Sequence, residues 1–373
     1  MRRMTIEPRS DWPQKLVDLG LEFDVRASSP YWCEEAAYAF SDAQIETLET
    51  ACAELVGMID QAVDYVVAND RLSALGISGK LATAATASWK VCEPSLYGRF
   101  DLRFDGQGPP KLLEYNSDTP TALFEASVVQ WLWLEERYAA LDQWNSIHEG
   151  LLETWAELRG AGLSSAHFAC SPEDDDDLLT TAYLQDTATQ AGLETRFLRL
   201  VDVGWDGQRF VDLEDASIEA LFKLHPWDWL AEEAFFPHIA ATRLRVVEPA
   251  WRVIPASKGI LAILWELFPD HPNLLAASFG SGRIKGPVIR KPLFGREGAN
   301  MVVSEARGLT VTDGPYGSMA TMEQAFLPLP DFDGWRPVLG AWIIGGVARG
   351  MGIREDRALV TGRGAHFVPH VIE

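Results

Sequence analysis

Residues 98–125 read GRFDLRFDGQGPPKLLEYNSDTPTALFE, and this pattern predicts two antiparallel strands followed by a helix. GRFDLRF alternates between polar and apolar residues, DGQGPP is rich in turn formers, and KLLEYN is extended again. A turn closed around Asp105–Pro110 sets the register of the two strands. A slip by one residue would turn every side chain to the other face of the sheet. The expected cross-strand pairs are Phe104 with Lys111, Asp101 with Glu114, and Arg99 with Asn116.

Two carboxylates stand opposite each other in this register. Asp101 and Glu114 would repel, and like charges that face each other destabilise a strand pair. A divalent cation between them would turn this repulsion into a net attraction. Carboxylate and amide oxygens, here with that of Asn116, are ligands that Mg²⁺ prefers. The alternative is a hairpin at the edge of a sheet, with its charged side chains in solvent.

The hairpin leads into a predicted helix. Thr119 is placed as the N-cap and Pro120 as the first helical residue, followed by the run ALFEASVVQWLWLEE. This start would bring the charged residues of the hairpin beside the electropositive end of a helix. We therefore expect an anionic ligand at this position.

Length and composition limit the class of protein. The chain has 373 residues, of which 47% are hydrophobic, enough for one elaborate domain or for two to three subdomains. It has no apolar run long enough to span a bilayer and no secretory signal pattern at residues 1–15. The cysteines are scattered without a C-x-x-C pair, which favours a reducing compartment and a cytoplasmic protein. They are Cys33, Cys52, Cys92 and Cys170.

The net charge is −22, with a sequence pI near 4.7. A surface of this sign repels nucleic acid and anionic membranes, and it favours a cationic small molecule. Simple solubility explains the charge equally well. We therefore expect small-molecule partners, whereas the sequence does not indicate the oligomeric state.

The rest of the chain alternates between helical and extended patterns. A capping-box sequence at Ser41–Gln44 predicts a long amphipathic helix over 42–68. Residues 165–205 have the pattern of a βαβ unit with a parallel strand pair. The acidic run Glu173–Asp177 follows the first of these strands, at the edge where open α/β sheets bind ligands, although acidic residues are also ordinary at a helix start. Two further helices are expected at about 120–140 and 145–159.

The second half of the chain offers lysines and a glycine-bounded turn. Lys258 begins an apolar helix, and Lys291 lies in the strand-like run PVIRKPLF. The turn Gly295–Gly298 could close over phosphates through its backbone N–H groups, or it could be a plain hairpin turn. No Walker A sequence is present, so a nucleotide site would not be of the P-loop type.

Taken together, these motifs resemble the ligase domain of the glutathionylspermidine synthetase family. The resemblance implies an ATP-grasp architecture, of the α+β or α/β class, in a single unit over 1–373. Within it, residues of about 165–205 would form a substrate-side βαβ subdomain and about 255–310 a nucleotide lid. The family's papain-like amidase domain has no counterpart in the sequence. The motifs are GRFD (98–101), LLEYNSDTPTALFE (112–125), KLHPWDWL (223–230), EPAWRVIPASKGILAILWELFPDHPNLL (248–275), VIRKPLFGREGANM (288–301) and GAWIIGGVARGMGIRE with HFVPH (340–370).

The resemblance also implies roles for individual residues. Two Mg²⁺ ions would bind Asp101, Glu114 and Asn116, and Arg99 would be the catalytic arginine. Substrate would contact Thr119, Thr121 and Arg354. ATP would contact Lys258, Lys291, Gly295, Arg296, Glu297, Gly298 and Gln324.

The activity implied is ATP-dependent ligation of a carboxylate, such as that of a peptide, to a polyamine-like amine through an acyl phosphate. Thr119 and Thr121 stand where the synthetase has serines, which suggests a different peptide or carboxylate. Two alternatives are a peptide-tailoring ligase with an amino-acid nucleophile and a non-catalytic ATP-binding module. Glutathione and spermidine are therefore not assumed as substrates.

Overall fold

The computed structural model describes residues 1–21, 30–171, 173–242, 244–306 and 308–373. In this part of the chain, no helix is both long and apolar enough to cross a membrane. The strands are Arg2–Thr5 (β1), Ala36–Phe40 (β2), Tyr97–Arg103 (β3), Lys111–Asn116 (β4), Ser165–Cys170 (β5), Glu194–Arg199 (β6), Gly204–Trp205 (β7), Phe210–Val211 (β8), Ala220–Lys223 (β9), Arg245–Val247 (β10), Ala277–Phe279 (β11), Val288–Pro292 (β12), Val302–Glu305 (β13), Gly308–Val311 (β14), Thr321–Ala325 (β15), Arg336–Ile344 (β16), Val347–Asp356 (β17), His366–Val368 (β18) and His370–Ile372 (β19). The α-helices are Trp12–Asp18 (α1), Asp42–Ala68 (α2), Gly79–Lys90 (α3), Gln130–Arg137 (α4), Ile147–Gly160 (α5), Asp175–Gln190 (α6), Trp227–Leu230 (α7), Phe236–Ala241 (α8), Val253–Ala256 (α9) and Ile260–Leu267 (α10).

Three sheets matter for the position of the site. The central antiparallel sheet has the order β18-β17-β16-β3-β4, so the predicted hairpin forms one side of it. A second, antiparallel sheet has the order β11-β15-β12-β13-β14. A third sheet, in the order β10-β9-β5-β6, is parallel, and α6 connects β5 to β6. The predicted βαβ unit is therefore confirmed.

The long helix α2 is the core scaffold that the sequence predicts. It begins after Ser41, whose backbone N–H donates to Gln44 Oε1 at 3.1 Å in the predicted capping box. Its inner face is apolar and buried, and consists of Ile45, Leu48, Ala51, Cys52, Leu55, Met58, Ile59, Ala62, Val63 and Val66. The apolar helix α10 packs against α2 and shares its core. The buried apolar contact between α2 and α10 fixes the segment directly before α10, which carries Lys258.

The first strand of the chain fixes β17, which carries Arg354. Arg3 donates to both carboxylate oxygens of Glu355, at 2.8 and 2.6 Å, and Tyr38 donates its hydroxyl to the same carboxylate at 2.7 Å. Glu355 is completely buried. Since Glu355 follows Arg354 on an extended strand, its side chain points to the opposite face and its bonds hold the arginine's strand in place.

A buried histidine makes stability depend on pH. His370 is fully buried; its Nε2 accepts the backbone N–H of Trp144 at 3.2 Å, so its Nδ1 must donate to Gln130 Oε1 at 3.0 Å. Burial lowers the pKa of His370 to about 3. The unfolded chain, with an ordinary histidine pKa near 6.5, therefore takes up this proton first as the pH falls.

The contribution of neutral His370 to the free energy of unfolding is thus complete above pH ~6.5 and is lost progressively toward pH ~3. We expect His370→Gln to cost less stability at pH 5 than at pH 8, by about 2 kcal/mol. Urea unfolding at both pH values measures the difference. The buried, non-titrating variant Thr154→Val should cost the same at both pH values. An equal cost of His370→Gln at the two pH values would contradict the assignment of a lowered pKa to His370.

Candidate functional site

One cavity of about 760 Å³ brings the predicted site residues together. It lies among β3 and β4 of the central sheet, the loop after β12, and the segments that precede α6 and α10. Every residue that the sequence placed in a site lines this cavity, although they come from distant parts of the chain. They are Arg99, Asp101, Glu114, Asn116, Thr119, Thr121, Lys258, Lys291, Gly295, Arg296, Glu297, Gly298, Gln324 and Arg354.

The predicted hairpin register is confirmed at the charged positions and wrong near the turn. Asp101 pairs with Glu114, and Arg99 pairs with Asn116. A bulge then shifts the register, so that Lys111 faces Arg103 and not Phe104 as predicted. The extra residue on β4 twists the strand locally, as bulges near functional sites often do.

The alternative of an edge hairpin with solvated charges is right about the edge, because β4 is the last strand of the sheet, and wrong about the solvation. Strand β3 lies between β16 and β4, and both Arg99 and Asp101 are buried. Arg99 Nε contacts Asp101 Oδ1 at 2.7 Å, and its NH1 donates to the Thr121 carbonyl at 2.7 Å. Charged side chains that are buried this close together must be paired, because an unpaired buried charge is costly in free energy.

Cationic side chains compensate the two opposed carboxylates. Asp101 contacts Arg99 and also Arg354, whose NH2 lies 2.6 Å from Asp101 Oδ2. Glu114 contacts Lys258 Nζ at 3.0 Å. Burial alone would raise the pKa of Glu114, but Lys258 and Lys291 hold that pKa well below its usual range. The repulsion from which the sequence argument inferred a metal is therefore already offset by protein cations.

The donor set itself fits Mg²⁺. Among the described residues, no cluster of three or more His, Cys, Asp or Glu side chains could hold a metal ion. The predicted set consists of two carboxylates, Asp101 and Glu114, and the amide of Asn116, which all line the same cavity. Such a ligand set leaves room for waters and substrate phosphates, which is how Mg²⁺ is usually bound.

The carbonyl groups at the bulge in β4 accept hydrogen bonds from side chains of β12 and β15, which also line the cavity. Lys291 Nζ donates to the Leu113 carbonyl at 2.8 Å and to Gln324 Oε1 at 2.9 Å. Gln324 Nε2 in turn donates to the Leu112 carbonyl at 3.0 Å. Burial lowers the pKa of Lys291 to about 8, although Glu114 opposes the shift. Lys291 and Gln324 thus form one fixed unit on β12 and β15.

The loop after β12, Gly295–Gly298, lines the cavity. Lys258 Nζ donates to the Gly295 carbonyl at 2.7 Å and so ties the loop to Glu114. Gly298 has φ +68°, and a Cβ there would lie 2.6 Å from the Thr361 carbonyl oxygen. Only glycine therefore permits this contact between the loop and the segment before β18.

The predicted helix start at Thr119 is wrong. Residues 117–122 are not helical, Ala122 has φ +66°, and the helical turns begin at Leu123, with a π-helical stretch Glu125–Val129 before α4. Tertiary hydrogen bonds hold this segment out of a helix. Ser117 donates to the Arg252 carbonyl, and Arg99 donates to the Thr121 carbonyl. The segment lines the cavity as a non-helical loop instead.

Gly340 on β16 makes room for Arg99. It pairs with Asp101 across the sheet, and a Cβ at Gly340 would lie 2.7 Å from Arg99 Cδ. The Arg99 guanidinium also lies 5.6 Å from the ring of Trp342 on the same strand. Two residues of β16 therefore determine the path of the Arg99 side chain.

We expect Gly340→Ala to displace Arg99 and to lower the turnover of the protein's reaction by about 10²-fold, as a misplacement of about 1 Å does. Steady-state kinetics measures the loss, and urea unfolding checks that the fold survives. Gly160→Ala is the matched control, because no atom of the described residues, beyond its chain neighbours and its own helix backbone, lies within 4 Å of a Cβ at that position. Unchanged turnover in Gly340→Ala would contradict the proposed role of Arg99.

Sequence reasoning missed several residues around the cavity. Arg252 and Glu248 form a buried pair that holds the start of β3, and Asp118 binds the fully buried Lys223 at 2.8 Å. Charged residues inside otherwise apolar runs, EPAWRVIP and LFKLHPW, are the signal that could have found them. At the cavity's acidic edge, burial raises the pKa of Asp177 to about 7, and Asp174 and Asp176 add to the shift.

Comparison with known proteins decides the family. Residues 3–373 match the family described as glutathionylspermidine synthase preATP-grasp. The chain belongs to this family. A Haemophilus influenzae protein provisionally named as an acid–amine ligase is 38% identical over 392 aligned positions, covering 99% of each chain.

More distant relatives are longer than the chain. A trypanothione synthetase of Crithidia fasciculata is 28% identical over 82% of the chain and 52% of its own length. The bifunctional glutathionylspermidine synthetase/amidase of Escherichia coli is 29% identical over 90% of the chain and 59% of its own length. The chain therefore spans between half and three fifths of these two proteins. Together with the family match and the Haemophilus influenzae protein, these relatives place the chain among the ATP-dependent carboxylate–amine ligases, as predicted.

Solved structures support the fold independently. A glutathione synthetase-like effector of Globodera pallida aligns with TM-score 0.57 and 11% identity over 97% of the chain and 98% of its own. A protein of Methylobacillus flagellatus provisionally named as a γ-glutamylcysteine synthetase aligns with TM-score 0.50 and 11% identity over 86% and 88%. At this identity the likeness shows the fold alone, and the predicted ATP-grasp architecture is confirmed.

Proposed function

We propose that the chain forms an amide bond between a carboxylate and an amine through an acyl phosphate, with ATP and Mg²⁺. The observation that carries this proposal is the buried charge cluster on one cavity wall, where Arg99 and Arg354 bind Asp101 and Lys258 binds Glu114. Such an arrangement of fixed cations suits a reaction that develops negative charge on phosphate and acyl oxygens.

Asp101, Glu114 and Asn116 are the residues that would hold Mg²⁺, and the sequence resemblance implies two ions. When bound, Mg²⁺ neutralises charge on the β- and γ-phosphate oxygens. Arg99 donates to the oxygens of the transferring phosphoryl group and then to the oxyanion of the tetrahedral intermediate. Arg354, on β17, is held by Asp101 and would face the same oxygens.

Lys258, Lys291, Gln324 and the Gly295–Gly298 loop are proposed to bind ATP. The Lys291–Gln324 unit offers a fixed ammonium and an amide at the hairpin bulge, suited to a phosphate and to the base. Backbone N–H groups of the loop suit phosphate oxygens. In this scheme about 255–310 is the nucleotide lid, and about 165–205 is the substrate-side subdomain.

The chemistry follows in two steps. A carboxylate oxygen of the substrate attacks the γ-phosphorus of ATP, the P–O bond to ADP breaks, and an acyl phosphate forms. The amine nitrogen then attacks the acyl carbon, inorganic phosphate leaves, and one nitrogen-bound proton is released. The covering loop excludes water, which would otherwise hydrolyse the acyl phosphate.

Oxygen labelling tests the acyl phosphate. Glutathione with ¹⁸O in its carboxylates, together with spermidine, is the first pair to try, because related synthetases are named for it. The proposal predicts ADP and inorganic phosphate that carries one ¹⁸O atom. Release of AMP that carries the label would show an acyl adenylate instead and would overturn the mechanism.

We further propose that the acceptor is a cationic amine. Thr119, Thr121 and Arg354 would contact the carboxylate partner, while the acidic run Glu173–Asp177 lies on the cavity's rim. A cationic amine is favoured by this run and by the net charge of −22. A screen of polyamines against uncharged amines of equal length measures the preference. Ligation of uncharged amines alone would contradict it.

A further inference from the structure

Two residues of α7 to which no role has yet been given, Asp228 and Trp229, contact the Gly295–Gly298 loop in the lining of the cavity. Arg296 NH2 lies 2.5 Å from Asp228 Oδ1, and its guanidinium lies 4.6 Å from the ring of Trp229. Arg296 NH1 also donates to the carbonyl of Phe294 at 3.2 Å. The Gly295–Gly298 loop is thereby attached to α7, which comes from a different part of the chain.

Helix α7 is a rigid support for this contact. The backbone N–H of Trp227 donates to Asp118 Oδ2 at 2.7 Å, and Asp118 Oδ1 accepts from the fully buried Lys223 at 2.8 Å. The Trp227 side chain is itself buried. Asp228 and Trp229 follow on the same turn, so the buried network fixes where they can meet Arg296.

Trp229 is placed for this contact and not for the core. It is 47% exposed and lines the cavity, whereas Trp227, two residues earlier, is 1% exposed. Leaving a large aromatic ring half in solvent contributes little to packing, but its face suits a guanidinium. A second ion pair of the loop, between Glu297 and Arg363, is exposed to solvent and contributes little to holding it. The less exposed pair of Arg296 with Asp228 therefore holds the loop more strongly than this surface pair does.

We propose that Asp228 and Trp229 are positioning residues that hold Arg296, and with it the Gly295–Gly298 loop, closed over the cavity. The inference rests on the proposed function, because the closed loop protects an acyl phosphate from water. A loop that opens more often admits water and lets the intermediate hydrolyse before the amine attacks. Asp228 and Trp229 thus act on the coupling of ATP use to amide formation.

The variants Asp228→Asn and Trp229→Leu test the proposal with two readouts. Hydrogen exchange of the peptide 293–301, in the protein without substrates, should be faster by about fivefold to tenfold in both. The ratio of ADP released to amide formed should rise above one. Trp229→Phe, which retains an aromatic face, should restore part of both effects.

Asp202→Asn is the matched control. Its carboxylate binds Arg199 at 2.6 and 2.7 Å, an ion pair of the same kind outside the cavity lining. It should change neither readout. Unchanged exchange at 293–301 in both test variants would overturn the proposal. If wild-type protein releases no ADP with any substrate pair while exchange responds as expected, the proposed function fails and the loop contact stands.

Discussion

Replacing Arg99 by alanine is expected to lower kcat for amide formation by about 10²- to 10³-fold, the usual loss for one fixed donor to a developing oxyanion. The Arg99 guanidinium is buried, and its position is set by Asp101, the Thr121 carbonyl and Gly340. Because these contacts exist before substrate binds, the arginine needs no reorganisation during the reaction. The effect should therefore fall on kcat far more than on KM.

Arg103→Ala is the matched control for this prediction. Arg103 lies on the same strand and pairs with Asp105 at 2.7 Å, but it does not line the cavity. Its kcat should stay within about threefold of wild type, since surface changes away from such features are small. Arg99→Lys keeps the charge but not the forked geometry, so it should recover only part of the loss. A kcat of Arg99→Ala within threefold of wild type would contradict the proposed role.

Replacing Arg252 by methionine is expected to lower the free energy of unfolding by about 3–5 kcal/mol, the usual cost of removing one partner of a buried ion pair. Arg252 is buried, and Glu248, whose carboxylate lies 3.4 Å away, is completely buried. Arg252 also donates to the Ser117 carbonyl at 2.7 Å and to the Tyr97 carbonyl at 2.8 Å. Methionine has similar bulk but would leave one charge and two carbonyls without this partner.

Urea unfolding measures this loss. Arg2→Met is the control, because it removes an arginine from an ion pair in which both Arg2 and its partner Glu373 are exposed. That control should change the free energy of unfolding by no more than about 1 kcal/mol. Equal effects of the two substitutions would show that the Arg252 network does not stabilise the hairpin. The same network explains why residues 117–122 stay out of a helix beside the cavity.

The sequence predicts those parts of the fold that depend on local pattern. The periodicity of α2, the βαβ unit and the pairing of Asp101 with Glu114 all follow from spacing, and the structure confirms them. The resemblance selects residues that do lie around one cavity.

Features that depend on tertiary contacts do not follow from pattern. The bulge in β4 is held by Lys291 and Gln324, which lie about 180 and 210 positions later in the chain. Thr119 has the residue type of an N-cap, but hydrogen bonds from Arg99 and to Arg252 keep its segment out of a helix. The compensation of Asp101 and Glu114 by cations likewise required knowledge of which distant side chains meet there.

The most direct test of the account is ADP release with Mg²⁺ and ATP, measured across a matrix of peptide carboxylates and amines. The account predicts that release requires one carboxylate and one amine together, and that Asp101→Asn abolishes it. Thermal unfolding run in parallel should show a higher Tm with Mg²⁺ and ATP. No ADP release with any pair, and no change in Tm, would contradict the assignment of this cavity to ATP-dependent ligation.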